Sequence, residues 1–259
     1  MFSFKDSHEA LPIAIEDKTG KIIYFNPNGV GNEILNTTNE IHPLPTQIRQ
    51  VIYIAGSAGS GKSYQVASLI NNFLKLFPKR RVFVISCHEY DETFDLFDMP
   101  IEENILRIQP SIDMIEQRIG RKDFANSLVI FDDISNSQLS DNPIAKENTK
   151  ENKFIKEYLE NLIIDLVQNG RHDNINVLIT AHQLYDRKGN TSTLLNDCTD
   201  YIVFPISTGN NHMEYFLTNY IGLNAHDKKN FKEVIRRSRW VLIHKNPKYI
   251  IWDKGATLY

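Results

Sequence analysis

The chain has 259 residues, of which 41% are hydrophobic and 24% charged, a globular composition that excludes disordered, collagen-like and coiled-coil chains. Its net charge of -3 leaves any nucleic-acid binding to a local basic patch, and two cysteines, Cys87 and Cys198, exclude a disulfide scaffold and fit a reducing compartment. No apolar run reaches the roughly 18 residues that span a bilayer, and MFSFKDSHEA lacks the basic start and apolar stretch of a signal peptide.

Residues 11–26 read as a β-hairpin, two apolar runs around a turn with Asp17 and Gly20. Residues 27–48, with three prolines and two glycines, read as loop. The pattern then changes to continuous apolar runs of strands buried on both faces, alternating with helical spacing. Strands are expected at 51–55, 81–86, 105–108, 127–133, 176–181 and 201–206. Helices are expected at 63–77, 110–119, 154–169 and within 211–236, with a mixed acidic stretch at 88–104 and a polar, mobile one at 135–152. Residues 239–255 read as a closing hairpin around Asn246-Pro247. This alternation predicts an α/β fold, a mostly parallel sheet with helices on both faces and β-hairpin additions at both chain ends. Residues 1–48 are expected as hairpin and linker within the same domain as the main unit, 49–259.

Gly56, Ser57, Ala58, Gly59, Ser60, Gly61, Lys62 and Ser63 match G-x-x-x-x-G-K-[ST] in full, between a buried strand and an amphipathic helix. Glycines let successive amides curl inward onto phosphate oxygens, and the helix adds its positive N-terminal end. Lys62 then reaches the β- and γ-phosphates of ATP, Ser63 is a ligand for Mg²⁺, and Tyr64 continues the nucleotide contact. Downstream, the apolar run of residues 127–131 delivers Asp132 and Asp133 at a strand's C-terminal end, the edge that carries the ligand crevice in open α/β sheets. Asp132 is the candidate for the Mg²⁺ shell and Asp133 for the base that positions water. The plain alternative is an Asp-Asp turn. At least one further strand, 81–86, separates the loop from these carboxylates in the sequence, which resembles the additional-strand branch of P-loop ATPases with RecA-like motors.

In residues 168–183 a helix ends at Gly170, Arg171 follows, and a buried strand delivers His182 and Gln183. A polar side chain there can touch the γ-phosphate or the attacking water. Arg171 reads either as a trans-acting arginine at the protein edge or as a cap on the helix carbonyls.

GSAGSGKS at 56–63, VIFDD at 129–133 and NGRHDNINVLITAHQ at 169–183, with a fainter SRWVLIHKNPKYII at 238–251, resemble the FtsK–HerA clan, and within it the virion DNA-packaging ATPases of poxviruses and other large DNA viruses. The resemblance implies a RecA-like fold, a homo-oligomeric ring of five or six subunits, and Mg-dependent ATP hydrolysis. It also implies translocation of double-stranded DNA into a capsid, with a capsid or portal-type partner, in infected-cell cytoplasm or the virion. It gives Arg171 the trans role. The family's sensor is usually Gln. Counting from Ile175, the matching position here is His182, with Gln183 next.

Other readings are an assembly ATPase of filamentous-phage type, whose usual membrane span is not seen, and a non-motor nucleotide-binding scaffold. A small-molecule kinase would need an arginine-rich lid, and residues 135–152 hold no arginine. Basic clusters at Lys79-Arg80-Arg81, Arg118/Arg121/Lys122, Lys228-Lys229 and Arg236-Arg237/Arg239 are candidate DNA contacts or simply solvated faces.

Overall fold

The computed structural model describes residues 1–259 except 30, 47, 89, 94–96, 98–101, 135–148, 186–190 and 237, and the side chains of 149 and 230. The polar stretch expected at 135–152 therefore lies almost wholly outside the described residues. So do Arg237 and part of the acidic stretch at 88–104.

The residues ahead of the phosphate-loop strand form five short strands, β1 (Phe2–Ser3), β2 (Leu11–Glu16), β3 (Ile22–Phe25), β4 (Ile34–Asn36) and β5 (Ile41–Pro43). The expected hairpin is β2 and β3, with a bulge between Pro12 and Ala14. It does not extend the edge of the main sheet. With β1 and β5 it makes a separate antiparallel sheet, order β1-β3-β2-β5. Residues 27–48 are also not all loop, because β4 and β5 lie within them. Strands of three residues are too short for a period, and their partners are remote in sequence.

The main sheet holds β6 (Val51–Ala55), β7 (Arg81–Ser86), β8 (Ile105–Ile108), β9 (Ser127–Asp132), β10 (Asn176–Ala181) and β11 (Asp200–Val203), all parallel in the order β8-β7-β9-β10-β6-β11. Next to β11, β12 (Val241–His244), β13 (Tyr249–Trp252), β14 (Gly255–Leu258) and β4 continue it antiparallel to ten strands. The closing hairpin is thus a three-strand meander capped by β4. The strand between the phosphate-loop strand β6 and the carboxylate strand β9 is β10. The 81–86 strand, which intervenes in sequence, lies on the far side of β9.

Alternate residues of each strand feed two cores. On one face Ile52, Ile54, Val84 and Ile130 meet helix α1 (Lys62–Leu76), through Val66, Leu69, Ile70 and Phe73, and also Phe2, Ile23 and Phe25 of the small sheet. The small sheet thus covers part of the α1 face, and Asn72 Nδ2 donates to Pro43 O at 3.1 Å across the junction. After the short helix α2 (Ile112–Glu116), α3 (Thr149–Asn169) packs Leu159, Ile163 and Leu166 on the other face. It begins five residues before the expected start.

Helix α4 (Thr191–Asp197) has no counterpart among the expected elements. The expected helical stretch at 211–236 is two helices, α5 (Asn210–Asn219) and α6 (Ala225–Ile235). They part at Gly222, which turns at φ 75°, and Asn224 caps the second by accepting from the Asp227 amide. The strand expected at 201–206 stops at Val203, because Ser207 and Thr208 both donate their amides to Phe204 O at 3.0 Å and close a turn.

At the N-terminal end of β11, Asp200 is fully buried and accepts from Thr199 Oγ1 at 2.7 Å and Gln50 Nε2 at 3.2 Å. His244 Nδ1 lies 2.6 Å from Asp200 Oδ1, and its Nε2 lies 2.9 Å from Asn246 O. Burial alone would lower the His244 pKa. The bond to Asp200, that carboxylate's charge and the Asn246 carbonyl outweigh it, and the net shift is upward.

Candidate functional site

The phosphate-loop motif lies where β6 ends. Gly56 N donates to Ala181 O at 3.1 Å, so the loop leaves the sheet beside the end of β10. Gly59 and Gly61 take φ 73° and 103°, left-handed conformations that favour glycine. At Gly56 the constraint is space: a Cβ would stand 2.5 Å from Ser60 Oγ and 2.6 Å from Phe204 Cδ2. Lys62, 8% exposed, donates its ammonium to Gly56 O at 2.9 Å and Ser57 O at 3.2 Å, which holds it inside the curve of the loop. The Ser60 hydroxyl is buried and has no hydrogen-bond partner among the described residues. An oxyanion in the loop would supply one. Tyr64 faces the small sheet, its ring 6.0 Å from that of His42 and 5.1 Å from that of Phe97.

Two strands away, Asp132 closes β9, and the next residue leaves the strand in the left-handed region, Asp133 at φ 49°. One side chain on the interposed strand holds both: Thr180 Oγ1 donates to Asp132 Oδ1 at 2.8 Å and accepts the Asp133 amide at 2.8 Å. Burial raises the Asp132 pKa, Thr180 opposes that, and the charges of Asp133 and Asp91 add to it. Asp91 receives hydrogen bonds from Thr93 and from the Ser63 hydroxyl. Burial would raise its pKa, and these bonds with the charge of Arg107 bring it below the usual value.

Among the described residues no group of three or more His, Cys, Asp or Glu side chains is arranged to hold a metal. Magnesium needs no such cage. It commonly takes one or two carboxylates and completes its shell with phosphate oxygens and water. Ser63 and the half-buried Asp132 fit that requirement, because a dication relieves the repulsion among Asp132, Asp133 and Asp91.

β10 ends at Ala181, so both His182 and Gln183 lie beyond the strand and no alternation assigns them. His182 Nε2 stands 3.4 Å from Asp133 Oδ1, an oxygen with no hydrogen bond among the described residues. The backbone oxygen of Gln183 accepts from Tyr53 Oη at 3.1 Å, and its side chain is exposed. The structure therefore brings Lys62, Ser63, Asp132, Asp133 and His182 to one end of three neighbouring strands.

Arg171 is not there. It is exposed on the 3₁₀ turn Gly170–Asp173 that precedes β10, with the six residues of that strand, about 20 Å at 3.3 Å each, between it and the loop end. Nor does it cap α3. Arg49 does so, Nη2 donating to Leu166 O at 2.6 Å and Val167 O at 2.9 Å, and Nε to Ile175 O at 2.8 Å. One guanidinium thus ties both sides of the turn that presents Arg171. A Cβ on Gly170 would lie 3.0 Å from Arg49 Nη2.

Several basic candidates are neutralised. Arg121 pairs with Asp173 at 2.7 Å and Asp165 at 3.5 Å, Lys228 pairs with Glu214 at 3.3 Å, and Arg239 pairs with Glu40 and, at 3.9 Å, Asp253. Arg80 lies over the Phe77 ring at 4.4 Å. Lys79, Arg81, Arg118 and Lys122 are exposed.

Sequence reasoning missed Thr180, Asp91 and Arg49. Thr180 was visible as the late polar residue of an apolar strand. Asp91 sat unmarked in an acidic stretch. Arg49 acts on carbonyls more than a hundred residues away, and no local signal reveals it.

No protein-family model matches the chain. The chain is 33% identical over 260 residues to the uncharacterized protein V3 of Sputnik virophage, covering 97% of this chain and 96% of that protein. Among solved structures it is similar to the genome packaging NTPase B204 of Sulfolobus turreted icosahedral virus 2. The complex with AMPPCP gives a TM-score of 0.50 at 12% identity, over 80% of this chain and 97% of that one. The ATP-gammaS complex gives 0.50 at 15%, over 79% and 97%. Identity this low carries the fold, which B204 shares in its P-loop NTPase architecture. The identity to V3 extends nearly end to end in both chains, and on that ground the chain belongs to the family of the virophage protein V3.

Proposed function

We propose that the chain is the ATP-hydrolysing subunit of a ring-shaped motor that translocates double-stranded DNA and packages a viral genome into a capsid. The observation that carries this reading is the convergence of the Lys62 loop, Asp132, Asp133 and His182 at one end of the parallel sheet. A virophage relative and a fold shared with a genome packaging NTPase support the viral role.

In this reading the loop amides and Lys62 bind the β- and γ-phosphates of ATP and stabilise the charge that develops on them. Ser63 and Asp132 hold Mg²⁺. Bound there, the ion would supply positive charge against the phosphates. Asp133, its backbone fixed by Thr180, orients the attacking water and takes its proton. His182 stands beside the carboxylate and senses the γ-phosphate.

Arg171 serves a neighbouring subunit. It is too far from its own loop, and Arg49 already fills the capping role that would otherwise occupy it. Residues 1–48 act as part of the same unit as 49–259, in a ring of five or six subunits with duplex DNA and a capsid or portal-type partner. Among the described residues no helix is long and apolar enough to cross a membrane.

The test is ATP turnover with and without duplex DNA, alongside the mass of the particle in solution. DNA-stimulated hydrolysis by a closed oligomer is the expected result. No turnover of Mg·ATP, or a monomer at every concentration, sinks the proposal.

A further inference from the structure

A nucleotide is itself asymmetric, with a highly charged triphosphate at one end and a flat, largely apolar base at the other. The two flanks of the phosphate loop have the same asymmetry. On the β10 and β9 side stand Asp132, Asp133, His182 and, through Ser63, Asp91. On the other side β11 runs parallel to β6, with Val203 in register with Ala55. The chain that continues from it lies about one strand spacing, roughly 4.8 Å, from the loop. From Tyr201 to Met213 this segment carries no Asp, Glu, Lys or Arg.

Phe204 anchors the segment. It is 3% exposed, and its ring would meet a Cβ on Gly56 at 2.6 Å and one on Gly61 at 3.6 Å, so it underlies both ends of the loop. Two residues on, Ile206 is 79% exposed, more than any other large apolar side chain among the described residues. Single exposed apolar residues are ordinary. This one stands on a turn closed by two amide bonds to Phe204 O and a third from Ser207 Oγ at 3.2 Å, beside a loop built for phosphate.

We propose that Ile206 is the platform for the nucleotide base. The inference rests on the nucleotide reading above and deepens it. With the γ-phosphate drawn toward the carboxylates, the ribose and base leave the loop on the opposite side, over the turn 204–208. Covering the Ile206 side chain with a base removes apolar surface from water on both partners. Ser207 Oγ donates to Phe204 O, and the exposed surface the turn offers is the apolar side chain of Ile206. Purines, with the larger face, gain more from it than pyrimidines.

The experiment compares ATP with inorganic tripolyphosphate, each with Mg²⁺, by calorimetric titration of the full chain and its Ile206→Asp, Ile206→Ala and Ile206→Leu variants. At so exposed a position none of the three disturbs packing, and circular dichroism checks this. Ile206→Ala is expected to weaken ATP by about fivefold and Ile206→Asp by about tenfold or more, because the base then covers less apolar surface. Ile206→Leu stays near wild type, and tripolyphosphate affinity does not change in any variant. Unchanged ATP affinity in Ile206→Asp overturns the proposal. An equal loss for ATP and tripolyphosphate overturns it too, because the residue would then act through the loop. A wild-type chain that binds neither ligand removes the nucleotide reading itself.

Discussion

Thr180 Oγ1 lies 2.8 Å from Asp132 Oδ1, and the same oxygen receives the amide of Asp133. A single hydroxyl on the interposed strand therefore sets the position of both candidate catalytic carboxylates. Thr180→Val keeps the shape and removes the hydroxyl, leaving a half-buried carboxylate oxygen and an amide without that partner. The expected stability loss is about 1–3 kcal/mol by denaturant titration, with a larger fall in turnover than in ATP affinity. Thr180→Ser should restore both. Full turnover in Thr180→Val would show that the carboxylates hold their positions without it.

Lys62→Ala is expected to abolish hydrolysis while leaving the fold intact by circular dichroism, since its bonds are to the carbonyls of its own loop. Asp132→Asn should lose Mg²⁺-dependent activity. Asp133→Asn should bind ATP and hydrolyse it slowly, by about 10²–10⁴ below wild type if the group acts as a base. A fully active Asp133→Asn would move that role to another group.

Gly56→Ala places a methyl where Ser60 Oγ and the Phe204 ring already stand. The loop must shift, and nucleotide affinity is expected to fall more than the melting temperature. Gly56→Ala combined with Phe204→Leu should recover part of the affinity by making room. Normal nucleotide binding by Gly56→Ala alone would contradict this packing.

Arg171→Ala should bind ATP nearly normally and hydrolyse it poorly. Mixing inactive Lys62→Ala subunits with inactive Arg171→Ala subunits should return some turnover, because certain seams then join an intact loop to an intact arginine. Specific activity should rise with protein concentration. Wild-type turnover in Arg171→Ala, independent of concentration, would remove the trans role.

His244 gives the fold a pH dependence. Its pKa is raised above the ordinary 6.5 in the folded chain, so folded protein binds that proton more tightly than unfolded protein. The stabilisation is complete below about pH 6.5 and fades as pH rises through the folded value. The melting-temperature gap between wild type and His244→Gln should therefore narrow from pH 6 to pH 9. A constant gap would mean that His244 contributes by packing alone.

Much of this was legible in the sequence because it is local. Gly56 to Ser63 is a contiguous motif, and the buried strands at 51–55, 81–86, 127–132 and 176–181 announce themselves as apolar runs. What the sequence hid depends on pairing between distant segments. β4 is a strand only because β14 supplies its partner. Arg49 carries no cue beyond its own charge, yet it takes the helix-capping role for which Arg171 was the nearer candidate. Counting from Ile175 puts His182 at the family's sensor position, with Gln183 next, and no strand alternation separates the two. The strand stops at Ala181, and turn geometry turns His182 toward Asp133.

Phe2 is fully buried against Phe25 and Tyr249, and Ile34 pairs with Thr257. Part of the cover of β1 and β3, and the partner of β4, therefore come from strands remote in the sequence. Until β13 and β14 are made, the β2–β3 hairpin can bury its apolar side only in part, against α1. Closing so long a segment costs entropy before any native pairing rewards it, which slows folding. The native packing of the small sheet is expected to form only after β13 and β14 have been made, and its half-covered apolar face is where aggregation of incomplete chains begins.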